Sequence, residues 1–241
     1  GNRVPTSLKV FLTALAVIDD LGAIVVIAIF YTTSISFFNI GMSLSIFVLL
    51  LLLKRFKVYA LFPYLLGGVF MWYFMLHSGV HATITGVLLA FTIPSDAKSG
   101  KKPASAILQH FLHKPVAFFI IPLFALSNTC IELAGAGGGI AQSSSLGIML
   151  GLIVGKPLGI TLFLLLGVLI GICSLPNDVK WKHFVGAGML GGIGFTMSIF
   201  ITMLAFNDAE IINYSKLAIL VASCISAILG FVWLKITLKK E

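Results

Sequence analysis

Long apolar runs separated by short polar or glycine-rich segments make up most of this sequence. A membrane-spanning helix needs about 20 largely apolar residues. Eight runs of roughly that kind occur: Leu8–Thr32, Ser36–Leu53, Val58–Leu76, Val80–Ile93, Val116–Cys130, Leu146–Ile172, Phe184–Phe206 and Tyr214–Leu234. The fourth and fifth runs are short, so we expect those helices to be tilted, extended at their ends or covered by neighbours. The pattern predicts an all-α polytopic membrane helix bundle of about eight spans, a single transmembrane domain over residues 1–241.

The amino-acid composition supports a membrane protein. Hydrophobic residues make up 59% of the 241 residues and charged residues only 10%, whereas a soluble domain carries roughly 25% charge. A soluble chain of this size would have to expose large apolar patches. The composition therefore excludes a disordered chain and a nucleic-acid-binding module. The three cysteines lie on different apolar runs, so they predict no disulfide framework: Cys130, Cys173 and Cys224.

Two polar connections interrupt the apolar pattern. Residues 94–114 are predicted to form a cytoplasmic loop, whose second half around Ser105–His113 suits a short amphipathic surface helix. Gly135–Gly139 is typical of a flexible connector. The chain opens with Gly1 and has no signal-peptide layout. We therefore expect it to be a fragment of a longer protein.

The distribution of charge predicts the orientation in the membrane. An eight-span arrangement puts these basic residues on one face: Arg3, Lys9, Lys54, Arg55, Lys57, Lys98, Lys101, Lys102, Lys114, Lys180, Lys182, Lys235, Lys239 and Lys240. The opposite loops hold Lys216 beside Glu132, Asp208 and Glu210. Cytoplasmic loops carry an excess of lysine and arginine. Both ends of the chain are therefore predicted to be cytoplasmic, and the net charge of +8 reflects orientation.

Three ionisable residues lie deep inside apolar runs: Asp19, Asp20 and Lys156. Each costs roughly 2.5–3.5 kcal/mol at the centre of a spanning helix, so such residues usually serve a function. Neighbouring residues on a helix point about 100° apart. We therefore expect one carboxylate to meet Lys156 and the other to face a water-filled cavity. Carboxylates bind both hard cations and protons, which is the chemistry of a cation/proton exchanger. A buried pair that merely joins two helices is the alternative.

Two later segments are expected to disturb their helices. Pro157 follows Lys156 directly, and proline removes a backbone hydrogen bond and kinks a helix. The seventh run contains five glycines before Thr196 and Ser198: Gly186, Gly188, Gly191, Gly192 and Gly194. These small residues indicate either close helix packing or a discontinuous helix whose free backbone groups line an ion site.

At these residues the sequence resembles the NhaA family of bacterial sodium/proton antiporters. The matching stretches are ALAVIDDLGAI at Ala14–Ile24, SGVHAT at Ser78–Thr83, GKPLGI at Gly155–Ile160 and GGIGFTMSIF at Gly191–Phe200. The resemblance implies part of a twelve-span inverted-repeat fold, of which this chain supplies the last eight spans. This architecture is taken from the family, as are its broken helices. The family pairs the helix containing Gly191–Ser198 with an earlier broken helix that bears Thr-Asp, a segment not found in this sequence.

The resemblance also assigns roles to residues. Asp20 is implied as the main ion- and proton-binding carboxylate, with Asp19 as its neighbour and the partner of Lys156 in the proton-loaded state. The broken stretch is implied to line the ion path with Gly191, Gly192, Gly194, Thr196 and Ser198. The family responds to pH at its cytoplasmic face, which suggests roles for His110 and His113, and motif position suggests one for His81. Gln109 stands where the family commonly has an acidic residue.

Together these observations predict a secondary active transporter of the bacterial inner (plasma) membrane. It exchanges cytoplasmic Na⁺ or Li⁺ for external H⁺ by alternating access and serves pH and sodium homeostasis. The expected partners are Na⁺, Li⁺, H⁺ and the lipid bilayer, with a homodimer left open. No nucleic acid, cofactor or catalytic residue is expected. No structural metal is expected either, because His77 and His81 alone are a weak metal signal.

Four alternatives stay open. An intramembrane aspartyl protease needs carboxylates on separate helices, which adjacent Asp19 and Asp20 do not provide. A carboxylate-lined channel would not couple proton flow to a sodium gradient. A sodium-coupled solute symporter would depend on an organic substrate. The chain as given is also compatible with an inactive truncated fragment.

Overall fold

The computed structural model describes residues 4–31, 35–96, 102–131, 139 and 141–238. The regular structure of these residues is helical throughout, which confirms the all-α class. In chain order the helices are α1 (Thr6–Phe30), α2 (Phe37–Arg55), α3 (Phe62–Leu76), α4 (Thr83–Thr92), α5 (Ala104–Asn128), α6 (Ser143–Leu169), α7 (Trp181–Gly191), α8 (Phe195–Ala205) and α9 (Ala209–Thr237).

Five of the described helices are long and apolar enough to cross a membrane, namely α1, α2, α5, α6 and α9. The pair α7 and α8, bent by 48° at a short break, adds a sixth if the two helices form one span. Each of the eight predicted apolar runs contains helix, but α3 has only 15 residues and α4 only 10. At 1.5 Å per residue these two helices reach about 22 and 15 Å, short of the roughly 30 Å hydrocarbon layer. The length criterion therefore supports five or six spans where the sequence predicts eight.

The backbone explains why α3 and α4 are shorter than the predicted runs. Lys57 adopts a left-handed conformation with φ of 57°, so the chain turns sharply before α3 begins at Phe62. Gly79 has φ of 83°, and α4 begins only at Thr83. L-residues rarely continue a right-handed helix through such a conformation, so each turn removes several apolar residues from the helix.

Helices α5 and α6 each contain one π-helical turn, at Val116–Ile120 and Gly151–Gly155 respectively. In both helices a proline follows two residues after that turn, Pro122 in α5 and Pro157 in α6. Proline cannot donate a backbone hydrogen bond, and the wider π turn accommodates the interruption without ending the helix. The predicted short helix around Ser105–His113 therefore runs on into the predicted fifth span as one helix, α5.

The chain divides into two compact units. One unit comprises the described part of Leu21–Leu126 and has a core of Leu50, Tyr64, Ile93 and Ala104. Polar contacts join its helices. The buried Ser43 hydroxyl donates to the Met71 carbonyl at 3.1 Å. Lys54 Nζ donates to the Phe91 carbonyl at 2.9 Å and so caps the end of α4.

The other unit comprises the described parts of Gly1–Asp20 and Ser127–Glu241. Its core consists of Leu8, Val179, Phe184, Ala187 and Leu234, with the Phe11 and Phe184 rings packed edge to face at 4.9 Å. Helix α7 lies against α6 and α9 through glycines. A Cβ on Gly186 would lie 2.6 Å from Leu234, and one on Gly188 would lie 3.2 Å from the Pro157 carbonyl. The close-packing interpretation therefore holds for these two glycines.

Several predicted features lie wholly or partly outside the described residues. They are Arg3, Lys98, Lys101, Glu132, Lys239 and Lys240, together with residues 135–138 of the predicted flexible connector. The membrane orientation inferred from these charges stays a prediction.

Candidate functional site

An ion pair joins α1 to α6 at the residues singled out by their charge. Lys156 Nζ donates a hydrogen bond to Asp19 Oδ2 at 2.6 Å. The two side chains are 23% and 45% exposed, respectively, in the chain as described. The pair thus brings a cation and a carboxylate together between two largely apolar helices, as the resemblance implies for these two residues.

Asp20 is exposed, and no other described residue bonds to its carboxylate. Because adjacent residues on a helix point about 100° apart, Asp20 is turned away from Lys156 while Asp19 meets it. The two carboxylates are therefore not equivalent: Asp19 is paired with a lysine, and Asp20 is not.

Lys156 lies where α6 changes from π-helical to α-helical geometry. Its backbone N–H bonds to the Gly151 carbonyl five residues back. The next residue, Pro157, has no N–H to offer. The carbonyl of Leu152 would take its hydrogen bond from residue 156 in an α-helix or residue 157 in a π-helix. It therefore loses both of its ordinary donors.

The break between α7 and α8 depends on two glycines. A Cβ on Gly192 would collide with the Leu152 carbonyl oxygen and lie 2.8 Å from Ser226 Oγ. A Cβ on Gly194 would collide with Ser198 Oγ and lie 2.8 Å from Leu152 Cδ2. The chain turns here through hydrogen bonds of 3.1 Å from the Gly192 N–H to the Met189 carbonyl and from the Ile193 N–H to the Leu190 carbonyl. The helix is therefore discontinuous over this stretch, beside the close packing of Gly186 and Gly188. The lining of an ion site by its free backbone groups stays a prediction.

The helix break lies beside the ion pair. A Cβ on Gly191 would lie 3.5 Å from Leu15 and 2.9 Å from Ile160. Leu15 is four residues before Asp19, Ile160 four residues after Lys156, and Leu152, which faces Gly192, four residues before Lys156. Four residues are about one helical turn. The broken backbone and the paired charges therefore share one layer of this unit.

The predicted hydroxyl groups lie at the start of α8. Ser198 lines a cavity of about 280 Å³ together with Leu152, Thr202 and neighbouring apolar side chains. Its backbone N–H bonds to the Gly194 carbonyl at 2.8 Å. Thr196 is half-buried on the same first turn. Polar groups from α8 thus reach the level of the break.

The predicted pH-responsive histidines belong to the unit formed by Leu21–Leu126. His110 and His113 are exposed on α5, and His81 is half-buried just before α4. His77 contacts the Tyr73 carbonyl one turn earlier through Nδ1, at 2.9 Å. Among the described residues, no group of three or more His, Cys, Asp or Glu side chains forms a metal site. The pH roles of these histidines stay predictions.

One buried histidine, His183, was not predicted from the sequence. It is 7% exposed and stands at the start of α7. Its Nδ1 accepts the Lys180 N–H at 3.1 Å, so the neutral ring carries its proton on Nε2, which faces the Thr237 carbonyl at 3.4 Å. A cap residue followed three positions later by a side-chain acceptor is a helix-start pattern. That pattern has Ser or Thr at the cap and Glu or Gln three positions later, so Lys180 and His183 give no such signal in the sequence.

Two serines of α9 were also missed. Ser223 and Ser226 are 6% and 2% exposed, and neither hydroxyl has a hydrogen-bond partner among the described residues. Serines in apolar helices usually bond to their own backbone one turn earlier, so nothing in the sequence marks these two. Only the fold shows that Ser226 points at Gly192.

Comparison with known proteins places the chain among transporters. The family described as Na+/H+ antiporter 1 matches residues 1–234. A protein of Flavobacterium johnsoniae named Na(+)/H(+) antiporter NhaA 1 is 64% identical over 236 residues, covering 98% of this chain and 62% of its own length. Proteins named Na(+)/H(+) antiporter NhaA are 61% identical in Flavobacterium psychrophilum (99% of this chain) and 58% identical in Cytophaga hutchinsonii (100%). The chain spans about 62% of the length of each of these relatives.

Proposed function

The chain belongs to the Na+/H+ antiporter 1 family, and we propose that it forms the core of a transporter exchanging cytoplasmic Na⁺ or Li⁺ for external H⁺. The observation that carries the proposal is the 2.6 Å ion pair between Lys156 and Asp19, next to the open carboxylate of Asp20. A pair of this kind in an apolar layer is costly to build, and a transport site supplies a reason to keep it.

Competition for the same oxygens couples the two ion flows. A carboxylate oxygen that holds a proton does not at the same time hold Na⁺ as a charged ligand, so each ion displaces the other. Asp20 is the main exchanging group in this scheme. Lys156 neutralises Asp19 while no cation is bound, and this limits the buried negative charge in the ion-free state.

The break between α7 and α8 provides a means of alternating access. A helix bent by 48° at Gly192–Gly194 exposes backbone groups to the site and concentrates bending at three residues. Glycine-lined contacts along α7 let it slide against α6 and α9 without large side chains in the way. We therefore place the moving boundary of the transporter at α7 and α8.

Sidedness and the response to pH are part of the same proposal. The excess of basic residues on one face supports a cytoplasmic location for both ends and a bacterial inner membrane. His81, His110 and His113 are proposed to adjust the response to pH.

Ion flux in everted membrane vesicles tests the function. The complete coding sequence is expressed in bacteria that lack sodium/proton antiporters, respiration acidifies the vesicle lumen, and an optical probe follows its pH. Addition of Na⁺ or Li⁺ should release protons from the lumen, whereas choline should not. Absence of any response between pH 6.5 and 8.5, with insertion verified, would overturn the proposal. A response that requires an added organic solute would favour a symporter.

A further inference from the structure

We propose that a water molecule binds at the helix break, bridging the Leu152 carbonyl of α6, the Met189 carbonyl of α7 and the Ser226 hydroxyl of α9. This site is separate from the ion pair and goes beyond the proposed exchange. It makes Ser226 a positioning residue for the break.

The three oxygens converge beside Gly192. The Leu152 carbonyl oxygen and Ser226 Oγ both lie less than 3.0 Å from the point where a Cβ of Gly192 would be, and the Met189 carbonyl oxygen lies 3.1 Å from that point. Oxygens so close to one point are at most about 6 Å apart. Two hydrogen bonds of about 2.8 Å through one water span nearly that distance.

Two of the three groups lack their usual partners. Ser226 is 2% exposed, and its hydroxyl bonds to no described residue, including its own backbone one turn earlier. The Leu152 carbonyl has lost its helical donors, because the Lys156 N–H goes to Gly151 and Pro157 has none. Buried polar groups left in this way cost roughly 1–3 kcal/mol each, and ordered water is the usual remedy in proteins.

The donor and acceptor count suits water. A water molecule offers two hydrogens and accepts at its oxygen. It donates one hydrogen to the Leu152 carbonyl and one to the Met189 carbonyl, and it accepts the Ser226 O–H. Met189 already accepts the Gly192 N–H, but a carbonyl oxygen has a second lone pair. The two carbonyls, the Ser226 hydroxyl and the water itself then all have hydrogen-bond partners.

A cation fits this site less well than water. The three oxygens are uncharged. The Ser226 hydroxyl also points its hydrogen, which carries a partial positive charge, toward the shared space, and this disfavours a cation there. A buried cation without a carboxylate is costly in an apolar layer. The carboxylates of Asp19 and Asp20 offer cations a better position nearby.

Water has a way in. The cavity of about 280 Å³ lined by Leu152, Ser198 and Thr202 reaches the π turn of α6. A Cβ on Gly192 would be crowded by these oxygens, so glycine lets the backbone come close to them. A bridging water also lets α7 shift against α9, because the water can change hydrogen-bond partners as the helices move. A direct hydrogen bond between the two helices would have to break.

High-resolution structures of the complete transporter in lipid nanodiscs test the site. They are determined without Na⁺ or Li⁺, for the wild type, Ser226→Ala and Cys224→Ala. Cys224 lies on the same helix but is exposed, so its variant is the matched control. We expect a density peak within hydrogen-bonding distance of Ser226 Oγ and the Leu152 oxygen in the wild type and in Cys224→Ala, and none in Ser226→Ala.

A wild-type structure in which side chains are clear but this peak is missing would overturn the proposal. So would a peak that appears only after Na⁺ is added, because that would identify a cation.

The positioning role is measured by sodium-driven proton release: Ser226→Ala should lower the maximal rate by about threefold or more with an unchanged KM for Na⁺, and Ser226→Thr should restore the rate. An unchanged rate in Ser226→Ala contradicts that role. The density measurement needs no transport, so its outcome is independent of the proposed exchange.

Discussion

Lys156 and Asp19 are 137 residues apart in the sequence and 2.6 Å apart in the structure. Their contact fixes α1 against α6 one helical turn from the break between α7 and α8. Asp20, the next residue, bonds to no described residue. The arrangement separates a carboxylate that is held by a lysine from one that is available, although the two are neighbours in sequence. This inequality is the basis of the first two predictions.

Asp20→Asn should reduce sodium-driven proton release by about tenfold or more. A carboxamide neither binds a proton near neutral pH nor offers a charged ligand to Na⁺. Membrane insertion should be unaffected, because the side chain is exposed and of equal size. The measurement is the initial rate of proton release in everted vesicles, normalised to the amount of inserted protein. Asp96→Asn, at an exposed position outside the helices, is the control and should keep the wild-type rate. Substantial exchange by Asp20→Asn at any pH between 6.5 and 8.5 would contradict its role.

Lys156→Ala should lower the melting temperature and change the pH dependence of exchange. The variant leaves Asp19 without its partner. Because Asp19 is 45% exposed, solvent weakens the pair, and we expect a loss of about 1 kcal/mol, or roughly 2–4 °C in Tm. Thermal unfolding of Lys156→Ala, Asp19→Asn and the double variant gives the coupling energy. Additive effects of the two single changes would show that the contact contributes nothing.

The charged pair could be predicted from the sequence, whereas its surroundings could not. Asp19 and Lys156 interrupt apolar runs, and a local pattern is enough to find them. The two helices that fall short of spanning length begin only after turns at Lys57 and Gly79, where φ is positive, and the apolar pattern does not register these turns. His183 meets Thr237, 54 residues away, and Ser226 lies beside Gly192 in the break between two other helices. Contacts of that kind depend on packing, so they become visible only in the fold.

His183→Ala should loosen the start of α7. The side chain accepts the Lys180 N–H and anchors this end of α7 to Thr237 at the end of α9. Loss of a helix cap costs about 1 kcal/mol. We expect faster hydrogen exchange at the amides of residues 180–186, measured by mass spectrometry. His183→Asn should retain part of the protection, because its carbonyl oxygen can still accept. His110→Ala, on the exposed face of α5, should leave these amides unchanged, and equal exchange in all three variants would contradict the cap.

Gly192→Ala should lower both stability and exchange, because the break tolerates no side chain. A Cβ there would collide with the Leu152 carbonyl, which is backbone and can move only if the π turn moves with it. Overpacking of this kind costs about 1–3 kcal/mol. Gly159→Ala is the matched control: this glycine lies in α6 three residues after Lys156, and a Cβ on it would meet nothing within 4 Å. Since alanine favours helix over glycine by roughly 0.5–1 kcal/mol, Gly159→Ala should keep or raise the melting temperature. If both variants melt alike and transport alike, the helix break does not require glycine at position 192.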